Sequence, residues 1–316
     1  MMDTPQPAAG SANAARRLPS DQFGPLMKLA TYASVTVATV LIVTKAVAWV
    51  LTDSVSMLST LIDSLLDVGA SLVNLIAVRH ALEPADREHR FGHGKAEALA
   101  GLTQAAFIAG SAMFLVVQAG ERLVNPRYLV NTEIGYWVMV LAIVLTVALV
   151  VFQRHVVRKT GSIAITADSA HYQMDVLVNA SVIVSLLLAS EFGLIWADPV
   201  FAIAIAAYIL WGAWRIGEAS MNMLMDRELP DADRQRIRDI ALSHPAVVGV
   251  HDLRTRSSGN QVFIQMHLEM NGDITLNDAH VISDQVEASV IRAFPSAQVL
   301  IHEDPEGINE QRAVFR

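Results

Sequence analysis

The sequence predicts an α-helical polytopic membrane protein of six transmembrane helices, followed by a small cytoplasmic α+β domain. Three observations predict it. Hydrophobic residues make up 53% of the 316 and the mean hydropathy is +0.40, a balance found in membrane proteins and not in soluble domains of this length. Six apolar segments follow one another, at about 26–51, 54–82, 96–123, 134–155, 163–190 and 196–221, each long enough for about 30 Å of hydrocarbon at about 1.5 Å per residue. Beyond residue 221 the apolar runs give way to short alternating segments.

Composition also excludes partners. There is no cysteine, which rules out disulfides and thiolate metal sites and disfavours copper(I). The net charge of −8 comes with no basic stripe, so nucleic acid is not an expected partner.

Residues 1–25 are small and polar, with Arg16 and Arg17. They lack a short apolar core ending in a small-residue cleavage site, so they read as a disordered cytoplasmic tail. Residues 26–221 form the transmembrane domain. Lys and Arg near the segment ends set its orientation: Arg16, Arg17, Lys28, Arg79, Arg87, Arg90, Lys95, Arg154, Arg158, Lys159, Arg215 and Arg227 fall on one side, Arg122 and Arg127 on the other. Both termini, and with them residues 222–316, are therefore expected in the cytoplasm. Lys45, near the outer end of the first span, is expected to snorkel toward the interface.

Charged residues inside the spans need a reason. Asp63 and Asp67 in the second span, and His171 and Asp175 in the fifth, each lie four apart, one helix turn at about 3.6 residues per turn. With the predicted orientation, Asp63 lies about 14 Å from the outer end of its helix and His171 about 14 Å from the inner end of its own, so antiparallel neighbours bring all four groups to one depth. Polar residues also serve as glue between helices, but an aspartate at mid-membrane is unfavourable by about 2.5–3.5 kcal/mol and marks ion pathways. Carboxylate oxygens and one imidazole suit Zn²⁺ and tolerate Fe²⁺, Cd²⁺, Co²⁺ or Mn²⁺. The same groups take protons when no metal is bound, so binding expels protons. His171 titrates nearest neutrality, and it shares the exchanged proton with Asp67 and Asp175.

The polar loop after the second span carries Asp86, His89 and His93, read either as a weaker metal site near the cytoplasmic mouth or as a solvated loop. Its Gly-His-Gly-Lys lacks the spacing of a phosphate loop, so ATP is not an expected partner.

In the soluble segment, Asp231–Ser243 reads as an amphipathic helix behind Pro230. Val247–Arg256 and Gln261–Met270 read as strands joined by a turn at 257–260, Leu276–Phe294 as a second helix and Ala297–His302 as a third strand. The order αββαβ describes a two-layer domain. Residues 305–316 read as a loose tail. His251, His267 and His302 fall one to each strand, His267 on the more polar face, and Asp304 lies just past the last. Adjacent strands let such positions converge, so a metal cluster from His251, His267, His280, His302 and Asp304 is expected.

These residues resemble the cation diffusion facilitators, over about residues 26–305. The resemblance is carried by Leu-Ile-Asp-Ser-Leu-Leu-Asp, Pro-Ala-Asp, Phe-Gly-His-Gly-Lys-Ala-Glu, Ala-Asp-Ser-Ala-His-Tyr-Gln-Met-Asp, Leu-Met-Asp-Arg-Glu-Leu-Pro, His-Asp-Leu-Arg-Thr-Arg and Ile-His-Glu-Asp-Pro. It is closest to the bacterial zinc and ferrous-iron efflux type. It implies an inner-membrane homodimer that exports Zn²⁺ against protons through Asp63, Asp67, His171 and Asp175, with a metallochaperone-like cytoplasmic domain. It also implies metal at Asp86, His89 and His93, and a cytoplasmic cluster of His251, His267, His302 and Asp304 with His280 beside it at the dimer contact. Lys95 and Asp226 match a charge interlock that steadies the dimer. Two positions depart from the pattern. Glu303 stands where glutamine is expected, adding charge beside His302, and Ala170 stands where some relatives carry a larger apolar residue.

Two other classes compete. An intramembrane metalloenzyme would need an open metal position and a general base, and no His-Glu-x-x-His helix supplies them. A membrane-anchored metal sensor would not need its best ligands at mid-membrane.

Overall fold

The computed structural model describes residues 20–52, 55–124, 133–192 and 197–307. The expected tail up to residue 19, Arg127 and residues 308–316 lie outside the described residues. The six apolar segments are six helices: α1 (Ser20–Thr52), α2 (Val55–Ala81), α3 (Lys95–Val124), α4 (Glu133–Thr160), α5 (Ile163–Phe192) and α6 (Ala197–Leu224). The first begins at Ser20, inside the stretch expected to be tail. Among the described residues, four spans on α1, α3, α4 and α6 are long and apolar enough to cross a membrane. The two helices outside that set, α2 and α5, carry Asp67 and Asp168, His171 and Asp175.

The chain divides into two compact units, Gly24–Arg158 with Ser162–Met221, and Asn222–Arg316 with Lys159–Gly161 and the N-terminal residues to Phe23. In the helical unit, small side chains let helices approach closely. Ala105, Ile108 and Ala112 of α3, Ala167 and Met174 of α5, and Ala206, Ile209, Ala213 and Ile216 of α6 form one buried cluster. Large apolar side chains such as Val43, Phe114, Val144 and Trp214 stand exposed, which is unfavourable in water and suits contact with lipid. Gln104 of α3, buried, donates to the Ala70 carbonyl of α2 at 3.0 Å. These contacts hold α2 and α5 side by side.

Gly101 marks the tightest approach in this unit. A Cβ there would stand 2.5 Å from Ser220 Oγ and 2.7 Å from Ile163 Cγ2, and the β-branched Ile163 has little freedom to move aside. Gly101→Ala is expected to lose about 1–3 kcal/mol through overpacking, seen as a lower midpoint for thermal loss of the monodisperse peak in detergent. An unchanged midpoint would show that α3, α5 and α6 have slack.

The second unit contains α7 (Asp231–Leu242), β1 (Gly249–Ser258), β2 (Gln261–Met270), α8 (Leu276–Ala293) and β3 (Ala297–Pro305), the expected αββαβ order. β1 pairs antiparallel with β2 across a tight turn in which Gly259 takes φ +59°, and β2 pairs parallel with β3. The α8 crossover makes that parallel pairing feasible. Thr275 caps α8 by accepting from the Asp278 N–H at 3.2 Å, and acidic residues open α7 where the helix dipole favours them. One face of β2 (Val262, Ile264, Met266, Leu268, Met270) packs with Ile237 and Ala241 of α7, Val286 and Val290 of α8, and Phe294 just past its end. The opposite face is left for polar side chains.

Candidate metal centres

In the helical unit, Asp67 of α2 meets His171 of α5, with Asp67 Oδ1 3.0 Å from His171 Nε2. Asp175, one turn beyond His171 on the same face, joins them: ligand atoms of Asp67, His171 and Asp175 all lie within 4.8 Å of one another. His171 is buried, and its Nδ1 has no hydrogen-bond partner among the described residues. The side chain of Asp63 lies outside the described residues. Lys45 extends toward α2 and donates to Ser64 Oγ at 2.5 Å.

A polar layer that the sequence reading missed surrounds this centre. Tyr172 is fully buried, its ring edge-on to that of His171 with centroids 5.7 Å apart. Its hydroxyl lies 2.7 Å from Ser71 Oγ, and Ser34 Oγ donates to Ser71 Oγ at 3.0 Å. Asp168, buried, accepts from Gln153 Nε2 at 2.7 Å. Asp168, His171 and Asp175 follow an i, i+3, i+7 spacing on α5, the signal that would have revealed it. Such partners fix the orientation of ligands and tune them.

The loop after α2 folds around Asp86. Its Oδ1 accepts from the Glu88 and His89 backbone N–H groups at 2.9 and 2.5 Å, an Asx turn. The His89 N–H, with smaller help from the other donors, holds the Asp86 carboxyl below its ordinary pKa. Gly92 then turns the chain at φ +75°, a conformation that glycine adopts freely, and His93 swings back to place Nε2 3.4 Å from Asp86 Oδ2. Asp86, His89 and His93 thus bring ligand atoms within 4.8 Å of one another.

In the soluble unit the strand register aligns the histidines. His251 pairs with His267 across β1 and β2, and His267 with His302 across β2 and β3, giving ring centroids 5.0 and 4.6 Å apart. Asp304, buried, lies under the row: its Oδ2 is 2.8 Å from His267 Nδ1 and 3.2 Å from His251 Nε2, and its Oδ1 is 3.1 Å from His302 Nε2. Three imidazoles around one buried carboxylate form a donor set that fits a divalent ion of the zinc type, and ligand atoms come within 4.8 Å of one another in two sets, His267 with His302 and Asp304, and His251 with Asp252 and His267. Such an ion would be held by His251, His267, His302 and Asp304 and would cross-link the three strands.

Other placements differ from expectation. His280 stands apart in the protomer, exposed on α8 with Nε2 3.7 Å from Asp284 Oδ2, because α8 covers the other face of the sheet. Glu303 also turns away from the cluster. It pairs in register with Leu268, whose side chain points to the helices, so the alternation of β3 puts Glu303 opposite His302 and Asp304. Two acids that the sequence reading missed adjoin His251: Glu269 Oε1 lies 3.3 Å from Nε2, and Asp252 Oδ2 lies 3.5 Å from Nδ1. Asp252 takes φ +46° at the bulge between His251 and Arg254, a left-handed conformation that aspartate tolerates. Asp226 lies 3.3 Å from Arg256 Nη1 within the soluble unit, and Lys95 opens α3 in the other.

Comparison with known proteins follows this division. Residues 31–225 match the cation efflux transmembrane domain, and residues 229–306 match the cytoplasmic domain of cation efflux proteins. The cation-efflux pump FieF of Yersinia enterocolitica is 48% identical over 287 residues, covering 91% of this chain and 95% of that protein. FieF of Serratia proteamaculans is 49% identical over 284 residues, covering 90% and 94%. A solved structure of CzrB in its zinc form is 36% identical, covers 28% of this chain and 100% of its own, and has a TM-score of 0.26.

Proposed function

This chain belongs to the cation efflux family, in its FieF branch, and on that premise we propose that it exports Zn²⁺ in exchange for protons as an inner-membrane homodimer. It is a multi-pass transporter of metal cations and not an enzyme. The finer reading gives the cation and the coupling: Zn²⁺, with Fe²⁺ or Cd²⁺ accepted, and protons moving the other way. Both termini face the cytoplasm in this reading. The observation that carries it is the convergence of Asp67, His171 and Asp175 on α2 and α5, with Asp63 as the fourth ligand.

The chemistry follows from the donors. A divalent cation enters only when the carboxylates are ionised and His171 is neutral, so each binding event releases protons, and each proton rebinding weakens the hold on the cation. An imidazole hydrogen-bonded to a carboxylate offers one place for the exchanged proton and Asp67 the other. If only one side of the membrane reaches the site at a time, proton and metal alternate and their gradients are coupled. Asp86, His89 and His93 take up the cation at the cytoplasmic mouth. The cluster of His251, His267, His302 and Asp304 holds resident metal that biases the dimer, with His280 near the contact between protomers and Lys95 with Asp226 as its charge interlock.

The test is proton movement in proteoliposomes loaded with a pH dye. Zinc added outside is expected to drive protons in the opposite direction, faster as the pH on the zinc side rises, because fewer protons then compete for the ligands. Zinc entry with no accompanying pH change would refute the exchange.

A further inference from the structure

His93 is the one member of the loop triad that is buried: its side chain is 5% exposed, against 52% for Asp86 and 55% for His89. Its ring has two neighbours, with centroids 4.6 Å from His89 and 4.5 Å from His80. Nε2 faces Asp86, whereas Nδ1 is enclosed without a hydrogen-bond partner among the described residues. On the His80 side stands a second acid. α2 ends at Ala81, the Glu83 N–H bonds back to the His80 carbonyl at 3.0 Å, and Pro84 stops the helix. This turn brings Glu83 Oε2 to 2.8 Å from His80 Nδ1. Ligand atoms of His80, Glu83 and His93 lie within 4.8 Å of one another.

We propose that His80, Glu83 and His93 form a second cation seat, sharing His93 with the Asp86–His89–His93 set. A surface His80–Glu83 pair by itself explains two of these side chains. It does not explain a buried histidine packed beside two imidazoles with a ring nitrogen left without a hydrogen-bond partner among the described residues, since buried polar atoms are normally satisfied. Two imidazole nitrogens and one carboxylate oxygen suit zinc-like divalent ions better than Mg²⁺ or Ca²⁺, which prefer all-oxygen sites. A neutral imidazole has one lone pair available to a metal, and two divalent ions so close would repel. The seats are therefore alternatives for one ion. An ion taken up on the Asp86 side passes to the helix side without leaving the loop.

The proposal rests on the reading that the loop binds the transported cation, and its test reads binding instead of flux. The full chain carries Asp67→Ala, Asp175→Ala, His267→Ala and Asp304→Ala to disable the other centres, and bound zinc is measured by equilibrium dialysis. Adding Asp86→Ala with His89→Ala is expected to weaken zinc binding about tenfold without removing it. Adding His80→Ala with Glu83→Ala as well is expected to remove it, as is His93→Ala alone. His80→Asn with Glu83→Gln, closer in size, should repeat the loss in protein that elutes as the parent does. Loss of all zinc with Asp86→Ala and His89→Ala alone overturns the second seat, and two ions in the unaltered loop overturn the exchange between seats. An unaltered loop that binds no zinc overturns the seat and the loop reading together, whereas missing proton flux with zinc retained in the loop faults only the transport reading.

Discussion

Asp67→Ala is expected to abolish zinc-driven proton flux while the protein still inserts and assembles. In the proposed transport site the side chain supplies one of the carboxylates, and its Oδ1 lies 3.0 Å from His171 Nε2. Loss of an outer-shell partner of a metal ligand already lowers affinity by about 10–100-fold, and loss of the ligand itself should exceed that. Assembly should survive because an aspartate at the middle of a membrane helix is unfavourable by about 2.5–3.5 kcal/mol, so its removal relieves the fold. Asp175→Ala should behave alike. Asp67→Asn keeps the size and a polar contact but removes the ionisable oxygen, and it should be equally inactive. Full flux in Asp67→Asn, measured in the same proteoliposomes with the same dye, would mean that this carboxylate neither holds the metal nor passes the proton.

The second large effect is expected at Asp304. Three imidazoles converge on this buried carboxylate, so no single histidine has a comparable share in the cluster. In the unaltered chain, zinc at about 100 times its dissociation constant should stabilise the folded soluble unit by about 2.7 kcal/mol, as mass action requires. Asp304→Ala should remove most of that zinc-dependent shift in the unfolding midpoint while transport continues at a reduced rate. His267→Ala should give a similar, smaller change. A zinc-dependent shift in Asp304→Ala as large as in the parent would place the resident metal elsewhere; complete loss of transport would mean that the cluster is part of the ion path.

Much of this was legible in the sequence because the signals are periodic. Membrane spans announce themselves by length and hydropathy, and the six expected segments match the observed helices to within a few residues except at the start of α1. Paired i, i+4 acids and histidine on apolar helices singled out Asp67, His171 and Asp175, whose ligand atoms lie within 4.8 Å of one another, because ionisable groups in apolar segments carry an unfavourable transfer. The turn at Gly259 and the alternation along β2 were equally plain. Glu303 is the converse case: adjacency to His302 in sequence suggests adjacency in space, whereas a strand sends neighbours to opposite faces.

The sequence by itself determined the helices, the order of elements in the soluble unit, and which helices carry ionisable groups, because these depend on interactions within a few residues of each other. Only the tertiary structure decided which groups meet. Strand register set His251, His267 and His302 in one row and brought Asp304 beneath it. The packing of α2 on α5 put Asp67 against His171 and enclosed Tyr172 and Asp168 nearby, and the turn that ends α2 carried His80 and Glu83 beside His93. Register and packing arise from the combined burial of many side chains far apart in the chain, and no local pattern encodes that sum.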